Sequence, residues 1–370
     1  MRDDKSLEIE AVLLQALDQE VMDDETFNRL ALTLFEYQFE RNAPFQAFCR
    51  RRHRTPATVS AWHEIPPVPV QAFKHPGFWC EPPERCATFF QTSGTTDPAR
   101  HGRHYHPNLT VWERSMSRQF RRWVLPHRDR IRMVVMNPTD AEWPHSSLAH
   151  YMTVALDHFG DAASASVWRE GTLEWEALEA HLVRAAQDGA ALCLMGATFA
   201  YVHAFDRWAS RGRRFCLPEG SIILDTGGTK GRSRDISRRE FEDALVAHFG
   251  LTPSSWINMF GMTELSSQFY SVPDSRSPDY DAPLAYVSPP WVRTLVLDPV
   301  SLTPLSPGQQ GVLAHYDLAN RNAAVGILTE DWGVKTEAGF QFLGRRRGAE
   351  LRGCSLAIDE YLQGVPSRGI

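Results

Sequence analysis

Lysine is scarce in this chain: Lys5, Lys74, Lys230 and Lys335 are the only four among 39 lysines and arginines. Chemistry that needs an ammonium group therefore has few candidates, although a G+C-rich coding bias would also account for the arginine excess. Long apolar runs are missing too. No stretch approaches the roughly 18 consecutive apolar residues of a membrane span. The start, Met-Arg-Asp-Asp-Lys-Ser, leads into an acid-containing amphipathic segment and not a secretory leader, so the expected location is the cytoplasm. The six cysteines (Cys49, Cys80, Cys86, Cys193, Cys216 and Cys354) form no C-x-x-C pair. The Cys80/Cys86 spacing also lacks partners at zinc-site distance, so reduced, mostly buried thiols are expected. Net positive charge is absent: a formal charge of −6 argues against a protein built to grip nucleic acid. Neither an internal repeat nor a low-complexity segment is found.

What is present is an ordinary globular composition of 370 residues, 43% hydrophobic and 23% charged, enough for one large domain or two to three smaller ones. Residues 6–50 read as helical, with Leu7, Ile9, Val12, Leu13, Ala16 and Leu17 at helical spacing. A second helix is expected near Asp24, placing Phe27, Leu30, Leu34 and Tyr37 on one face. Residues 63–79 are too proline-rich for a helix or central strand and read as an extended connection. From 131 onward strands and helices alternate: strands at 131–136, 163–168, 191–195, 222–224 and 256–259, and helices at 146–159, 172–188 and 238–249. That alternation predicts an α/β domain with a largely parallel sheet. After about residue 280, strands at 286–298, 311–316, 323–328 and 339–343 follow one another without helices, predicting a β-rich subdomain.

Four segments carry chemistry. Residues 88–96 read T-F-F-Q-T-S-G-T-T, a β-prone run that breaks into a glycine surrounded by hydroxyls. Gly94 lets the backbone approach an anion, and Thr92, Ser93, Thr95 and Thr96 offer donors beside successive N–H groups. Such clusters also mark ordinary turns. Asn258-Met259-Phe260-Gly261-Met262-Thr263-Glu264 reads as a strand-to-helix transition. Its aromatic face can stack on a nucleobase, its threonine can touch a phosphate and its carboxylate can hold Mg²⁺. In Leu328-Thr329-Glu330-Asp331-Trp332-Gly333 a turn can present Asp331 to ribose hydroxyls. The fourth segment is Phe342-Leu343-Gly344-Arg345, followed by Arg352-Gly353-Cys354 and Glu360.

In this order the segments resemble the signature motifs of the adenylate-forming superfamily of acyl-CoA synthetases, peptide-synthetase adenylation domains and luciferase. The early W-H-E-I-P-P-V-P-V-Q-A-F-K segment, the S-S-L at 146–148 and L-T-E-D-W-G in place of T-G-D narrow the likeness to LuxE-type acyl-protein synthetases. Those are the ATP-dependent subunits of a bioluminescence fatty-acid reductase. The resemblance implies an α/β large domain with a β-rich subdomain, an N-terminal helical segment, and a small C-terminal domain absent or vestigial. Implied divisions are 1–80 (helical segment and connector), 81–280 (adenylate-forming core), 281–345 (β-rich subdomain) and 346–370 (tail with Cys354).

The resemblance also implies the roles. Thr92, Ser93, Gly94, Thr95 and Thr96 wrap the β- and γ-phosphates of ATP, Thr263 touches the α-phosphate and Glu264 ligates Mg²⁺. Gly227, Gly228, Phe260 and Gly261 flank the adenine, while Asp331 and Arg345 hold the ribose. Cys354 is the implied relay thiol, taking the activated acyl group of a carboxylic, by family a fatty, acid and passing it to an acyl-reductase or other acceptor protein. Its arginine-rich surroundings would favour thiolate. A buried structural thiol is the competing reading of Cys354, a turn that of Gly227-Gly228, and a satisfied structural histidine that of His150. The chain departs from the superfamily at Asp97, where the loop's last glycine is expected, at Arg100-His101-Gly102-Arg103-His104, which replaces a lysine, and at Glu330, which replaces a glycine. Two other functions stay open: a ligase charging coenzyme A or a carrier protein, and a non-catalytic adenylate-binding subunit.

Overall fold

The computed structural model describes residues 4–92, 101–228, 233–345, 357 and 361. They divide into two compact units. The first comprises residues 1–116, 262–267 and 288–370, the second 117–261 and 268–287.

The first unit opens with helices α1 (Asp4–Leu17), α2 (Asp24–Arg41) and α3 (Ala43–Arg51). The Asp23 side chain accepts the Thr26 N–H at 2.7 Å and caps α2, whose Phe27, Leu30, Leu34 and Tyr37 are all buried. Asn42 stops α2 with its own N–H on the Gln38 carbonyl and caps α3 by accepting the Phe45 N–H at 3.1 Å. The proline-rich connection holds a two-residue strand, β1 (Val68–Pro69). Strands β2 (Thr88–Gln91) and β3 (Arg103–His106) then pair antiparallel as a separate ribbon, and α4 (Thr110–Trp123) follows.

The second unit is the α/β part. In chain order it contains β4 (Arg132–Val135), α5 (Ser147–Phe159), β5 (Ala165–Ser166), β6 (Trp168–Arg169), β7 (Thr172–Leu173) and α6 (Trp175–Asp188). It continues with β8 (Leu192–Ala197), α7 (Thr198–Ser210), β9 (Ile222–Thr226), α8 (Arg238–Phe249), β10 (Trp256–Phe260), β11 (Phe269–Ser271) and β12 (Ala285–Val287). Strands β5, β4, β8, β9 and β10 run parallel in that spatial order, and β11 and β12 add antiparallel. Every residue of β8 is buried, as the continuous apolar run requires of a strand covered on both faces. Leu178, Leu182, Tyr201, Trp208, Ile223, Phe241, Leu245 and Trp256 belong to its core. A Ser237–Glu240 capping box opens α8, and left-handed glycines close α6 and α8 at Gly189 and Gly250.

The chain returns to the first unit for β13 (Val292–Leu297), β14 (Gln310–Asp317), β15 (Gly326–Lys335) and β16 (Gly339–Arg345), an antiparallel meander flanked by β1 parallel to β15. The β14–β15 connection, 318–325, is buried throughout and clamped from α2. Gln38 donates to the Asn320 carbonyl at 2.7 Å and accepts the Val325 N–H at 2.8 Å, and Asn42 donates to the Ala323 carbonyl at 3.0 Å.

The fold class expected from the sequence is observed: a parallel α/β sheet, a helical N-terminal segment and a β-rich C-terminal part. Asp331, expected on a turn, lies instead within strand β15, where the ladder to β16 extends through it. Other local readings change too. The amphipathic stretch at 172–188 becomes helical only at Trp175, because Glu170 and Gly171 turn with positive φ and pair β6 with β7. Thr263-Glu264 sits in a turn and not at a helix start, since the chain reverses and returns as β11.

Candidate functional site

In the first unit the ribbon β2–β3 carries the Gly/Thr loop. Its base is pinned: the Thr92 N–H donates to the Gly102 carbonyl, and the Gly102 N–H donates to the Thr92 hydroxyl, each at 2.9 Å. A Cβ on Gly102 would lie 3.0 Å from Thr92 and 3.2 Å from Phe73, so the close approach at this neck depends on glycine. Thr92 thus serves as the neck of the loop. Ser93, Gly94, Thr95 and Thr96 lie outside the described residues, as does Cys354.

The Thr263–Glu264 turn is held by its backbone from three directions. His104, on β3, contacts the Thr263 carbonyl through Nδ1 at 2.9 Å. A carbonyl only accepts, so Nδ1 carries the proton. Asn320 donates to the Glu264 carbonyl at 2.9 Å. Asp317 accepts the N–H groups of Ser266 and Ser267 at 3.0 and 2.9 Å, the Ser267 hydroxyl at 2.8 Å and the Ala319 N–H at 2.9 Å. Burial pushes the Asp317 carboxyl up to about 6 against those four donors, which leaves it ionised at neutral pH.

The Glu264 side chain shares a charged neighbourhood with Glu330, Asp331 and Arg345. By surface it is only partly shielded, yet enough protein surrounds it to push its carboxyl up to about 7. Burial is the leading cause, Arg345 opposes it, and Asp331 and Glu330 add to it by like-charge repulsion. Asp331 is 2% exposed on β15, and Arg345 at the end of β16 donates from Nε to its Oδ1 at 3.0 Å. The two residues are directly opposite in the β15–β16 register, which explains how segments 14 residues apart meet. Asp331 Oδ2 is buried with no hydrogen-bond partner among the described residues. Burial raises the Asp331 pKa, and the guanidinium offsets that only in part. Glu330 receives the Gln71 amide at 2.5 Å, so the V-P-V-Q segment abuts the T-E-D strand where β1 pairs with β15.

In the second unit the other expected residues lie at the carboxyl ends of adjacent parallel strands, with Thr226 of β9 opposite Met259 of β10. That is where open α/β sheets place ligands. Gly227 follows β9 at φ 72°, a left-handed conformation that favours glycine. At Gly228 no heavy atom of the described residues comes within 4 Å of where a Cβ would stand, its chain neighbours aside. Phe260 ends β10 half-buried, its ring 5.5 Å from Tyr286, and Gly261 beside it is exposed. Beneath them Asp225, 1% exposed, accepts Trp256 Nε1 at 2.6 Å, Asn258 Nδ2 at 2.7 Å and the Thr198 hydroxyl at 2.7 Å. Asn258 in turn accepts the Tyr286 hydroxyl at 2.6 Å. His150 meets Asp140 at 2.7 Å.

Within the first unit, then, the structure brings together Glu264, Asp331 and Arg345, and joins the Thr92 ribbon to Thr263 through His104. Within the second it brings together Gly227, Gly228, Phe260 and Gly261. Sequence reasoning missed the supports: His104, Asp317, Asn320, Gln71, Asp225 and Tyr286. The H-x-H alternation at 104–106 and the polar N-R-N in an otherwise apolar hairpin were the available signals. Among the described residues no group of three or more His, Cys, Asp or Glu is arranged to hold a metal. No helix among them is long and apolar enough to cross a membrane.

Residues 5–363 match the family described as acyl-protein synthetase, LuxE. A long-chain-fatty-acid–luciferin-component ligase of Vibrio harveyi is 26% identical over 200 residues, 52% of this chain and 50% of that protein. The chain is thus aligned to half of that relative's length. The protein of the same description from Aliivibrio fischeri is 21% identical over 348 residues, 91% of this chain and 88% of the other. The crystal structure of an open conformation of 2-hydroxyisobutyryl-CoA ligase, in complex with 2-HIB-AMP and CoA, superposes with a TM-score of 0.62 at 14% identity. It covers 87% of this chain and 69% of that one, a likeness of fold.

Proposed function

Because this chain belongs to the LuxE acyl-protein synthetase family, we propose that it activates a long-chain fatty acid with ATP. The acyl-AMP forms with release of pyrophosphate, and the acyl group then passes to a cysteine thiol of the protein and on to an acyl-reductase partner. The observation that carries the reading is the convergence of Glu264, Asp331 and Arg345, drawn from separate motifs, around a buried carboxylate with one oxygen that has no partner among the described residues.

In the first step a carboxylate oxygen attacks the α-phosphorus and the bond to pyrophosphate breaks. Two anions must meet, so the residues have to neutralise charge and hold the reactants in line. On this reading the loop at Thr92–Thr96 holds the β- and γ-phosphates and Thr263 the α-phosphate. Asp331 accepts a ribose hydroxyl on its spare Oδ2 while Arg345 fixes its other oxygen. Phe260 presents its ring to the adenine beside Gly227, Gly228 and Gly261. Mg²⁺ bound by Glu264 would offset the triphosphate charge, and a single carboxylate suits an ion that keeps phosphate and water ligands. In the second step the thiolate of Cys354 attacks the acyl carbonyl, AMP leaves, and a thioester forms.

The test is fatty-acid-dependent exchange of labelled pyrophosphate into ATP by the full chain. Exchange is expected in the wild type and is expected to fall by about 10²–10³ in Glu264→Gln, as for loss of a group that stabilises transition-state charge. Absence of exchange with any fatty acid, with the reductase partner present, would contradict the reading. Cys354→Ser is expected to keep exchange and lose a hydroxylamine-labile acyl mark on the protein. Unimpaired formation of acyl-CoA in that variant would instead favour a coenzyme A ligase.

A further inference from the structure

His104 sits two residues past the pinned neck of the Gly/Thr loop, on β3, and is 1% exposed. Its ring packs 5.2 Å from Phe73 and 4.2 Å from His106, in a largely aromatic setting. Histidine there has a cost. Burial drives its pKa down to about 4, so it is neutral, and with the proton on Nδ1 the Nε2 lone pair is buried without a partner among the described residues. What the histidine provides in return is one directed N–H, spent on the carbonyl of Thr263 at 2.9 Å. Thr263 and its neighbour Glu264 are the α-phosphate and metal-binding residues of the reaction proposed above, and they lie on a turn with no helix to stiffen it.

We infer that His104 is a positioning residue that couples the β2–β3 ribbon to the Thr263–Glu264 turn. Its hydrogen bond ties the turn to β3, so that the turn is held at a fixed place against the ribbon. Asn320 and Asp317 grip the same turn from the β14–β15 side. His104 is the grip that comes from the ribbon. The inference rests on the adenylation reading and concerns geometry in the transition state, so it predicts a loss in kcat with little change in the KM for ATP.

The experiment measures pyrophosphate exchange, with tetradecanoate as the acid, for wild type, His104→Phe and His104→Asn. Phenylalanine keeps a ring and removes the donor. Asparagine places an amide N–H close to where Nδ1 stood. His104→Phe is expected to lower kcat about tenfold with the ATP KM within about threefold, and His104→Asn to recover most of the loss. Should His104→Phe not fold, His104→Gln replaces it, since the extra methylene displaces the donor; Gln is then expected to be about tenfold slower than Asn. A kcat for Phe within twofold of wild type, or equal losses in Asn and its comparator, would overturn the inference while leaving the adenylation reading intact. A wild-type chain that shows no exchange would remove both.

Discussion

Two buried aspartates, one in each unit, make an instructive pair. Asp225 in the second unit and Asp331 in the first both sit on strands near expected nucleotide contacts, and burial raises the pKa of each. The direction of that shift does not separate them. Their donors do. Asp225 has three side-chain donors on two oxygens, whereas Asp331 has Arg345 on one oxygen and, among the described residues, nothing on the other. A saturated buried carboxylate organises its own protein. One kept short of a donor in a closed structure bears a cost that folding alone does not explain. Within the first unit a second contrast sets Asp317, with four donors, against Glu264, which has a hydrogen bond from its own backbone and a carboxyl that burial pushes up to about 7.

The sharpest way to break the comparison is to exchange the roles by mutation. Asp331→Asn is expected to lower pyrophosphate exchange about a hundredfold while changing unfolding free energy by no more than about 1 kcal/mol, because Arg345 is half-exposed and rehydrates. Asp225→Ala should do the reverse in the folded protein. It strands the donors of Trp256, Asn258 and Thr198 in the core and should cost about 3–5 kcal/mol in urea denaturation. If the two variants lost stability equally, donor count would not distinguish the two aspartates.

A smaller effect sharpens the Glu264 side of the contrast. In the folded, nucleotide-free protein Glu264 holds its proton to about pH 7, while in the unfolded chain it releases it near 4.5. More protons are therefore bound by the folded state across that interval, and the stability contributed by this group falls as pH rises through it. Glu264→Gln removes that dependence. Thermal midpoints measured from about pH 5 to about pH 7.5 are expected to decline less steeply in the variant. Identical slopes would show that the Glu264 carboxyl does not titrate in this range.

Much of the framework was legible. Alternating apolar runs with glycine stops marked β8, α6 and β9, and the Phe27, Leu30, Leu34, Tyr37 face of α2 followed from spacing alone. The ordered motifs named Glu264, Asp331 and Arg345, which do share one neighbourhood. Residues 258–264 read as a strand-to-helix transition, and an acid such as Glu264 in a first turn is a helix signal. The element that overrides it is Asp317, some fifty residues away, which takes the Ser266 and Ser267 N–H groups that a helix would have used. The roles of His104 and Gln71 could not be assigned for the same reason, although the H-x-H alternation marked His104 as unusual. Their partners, the Thr263 carbonyl and Glu330, lie 159 and 259 residues off in the chain. Local patterns specify elements; the supports of a site are set by long-range pairing that no window of sequence contains.

The most direct test of the central claim, that the spare oxygen of Asp331 awaits a nucleotide ribose, is a double-mutant cycle in binding. ATP and 2′,3′-dideoxy-ATP are titrated, with Mg²⁺, into wild type and Asp331→Asn by calorimetry. The wild type is expected to bind the dideoxy nucleotide about ten- to a hundredfold more weakly than ATP, as for loss of a hydrogen bond to a charged group, and the variant to bind the two nearly alike. A wild-type protein indifferent to the ribose hydroxyls would contradict it.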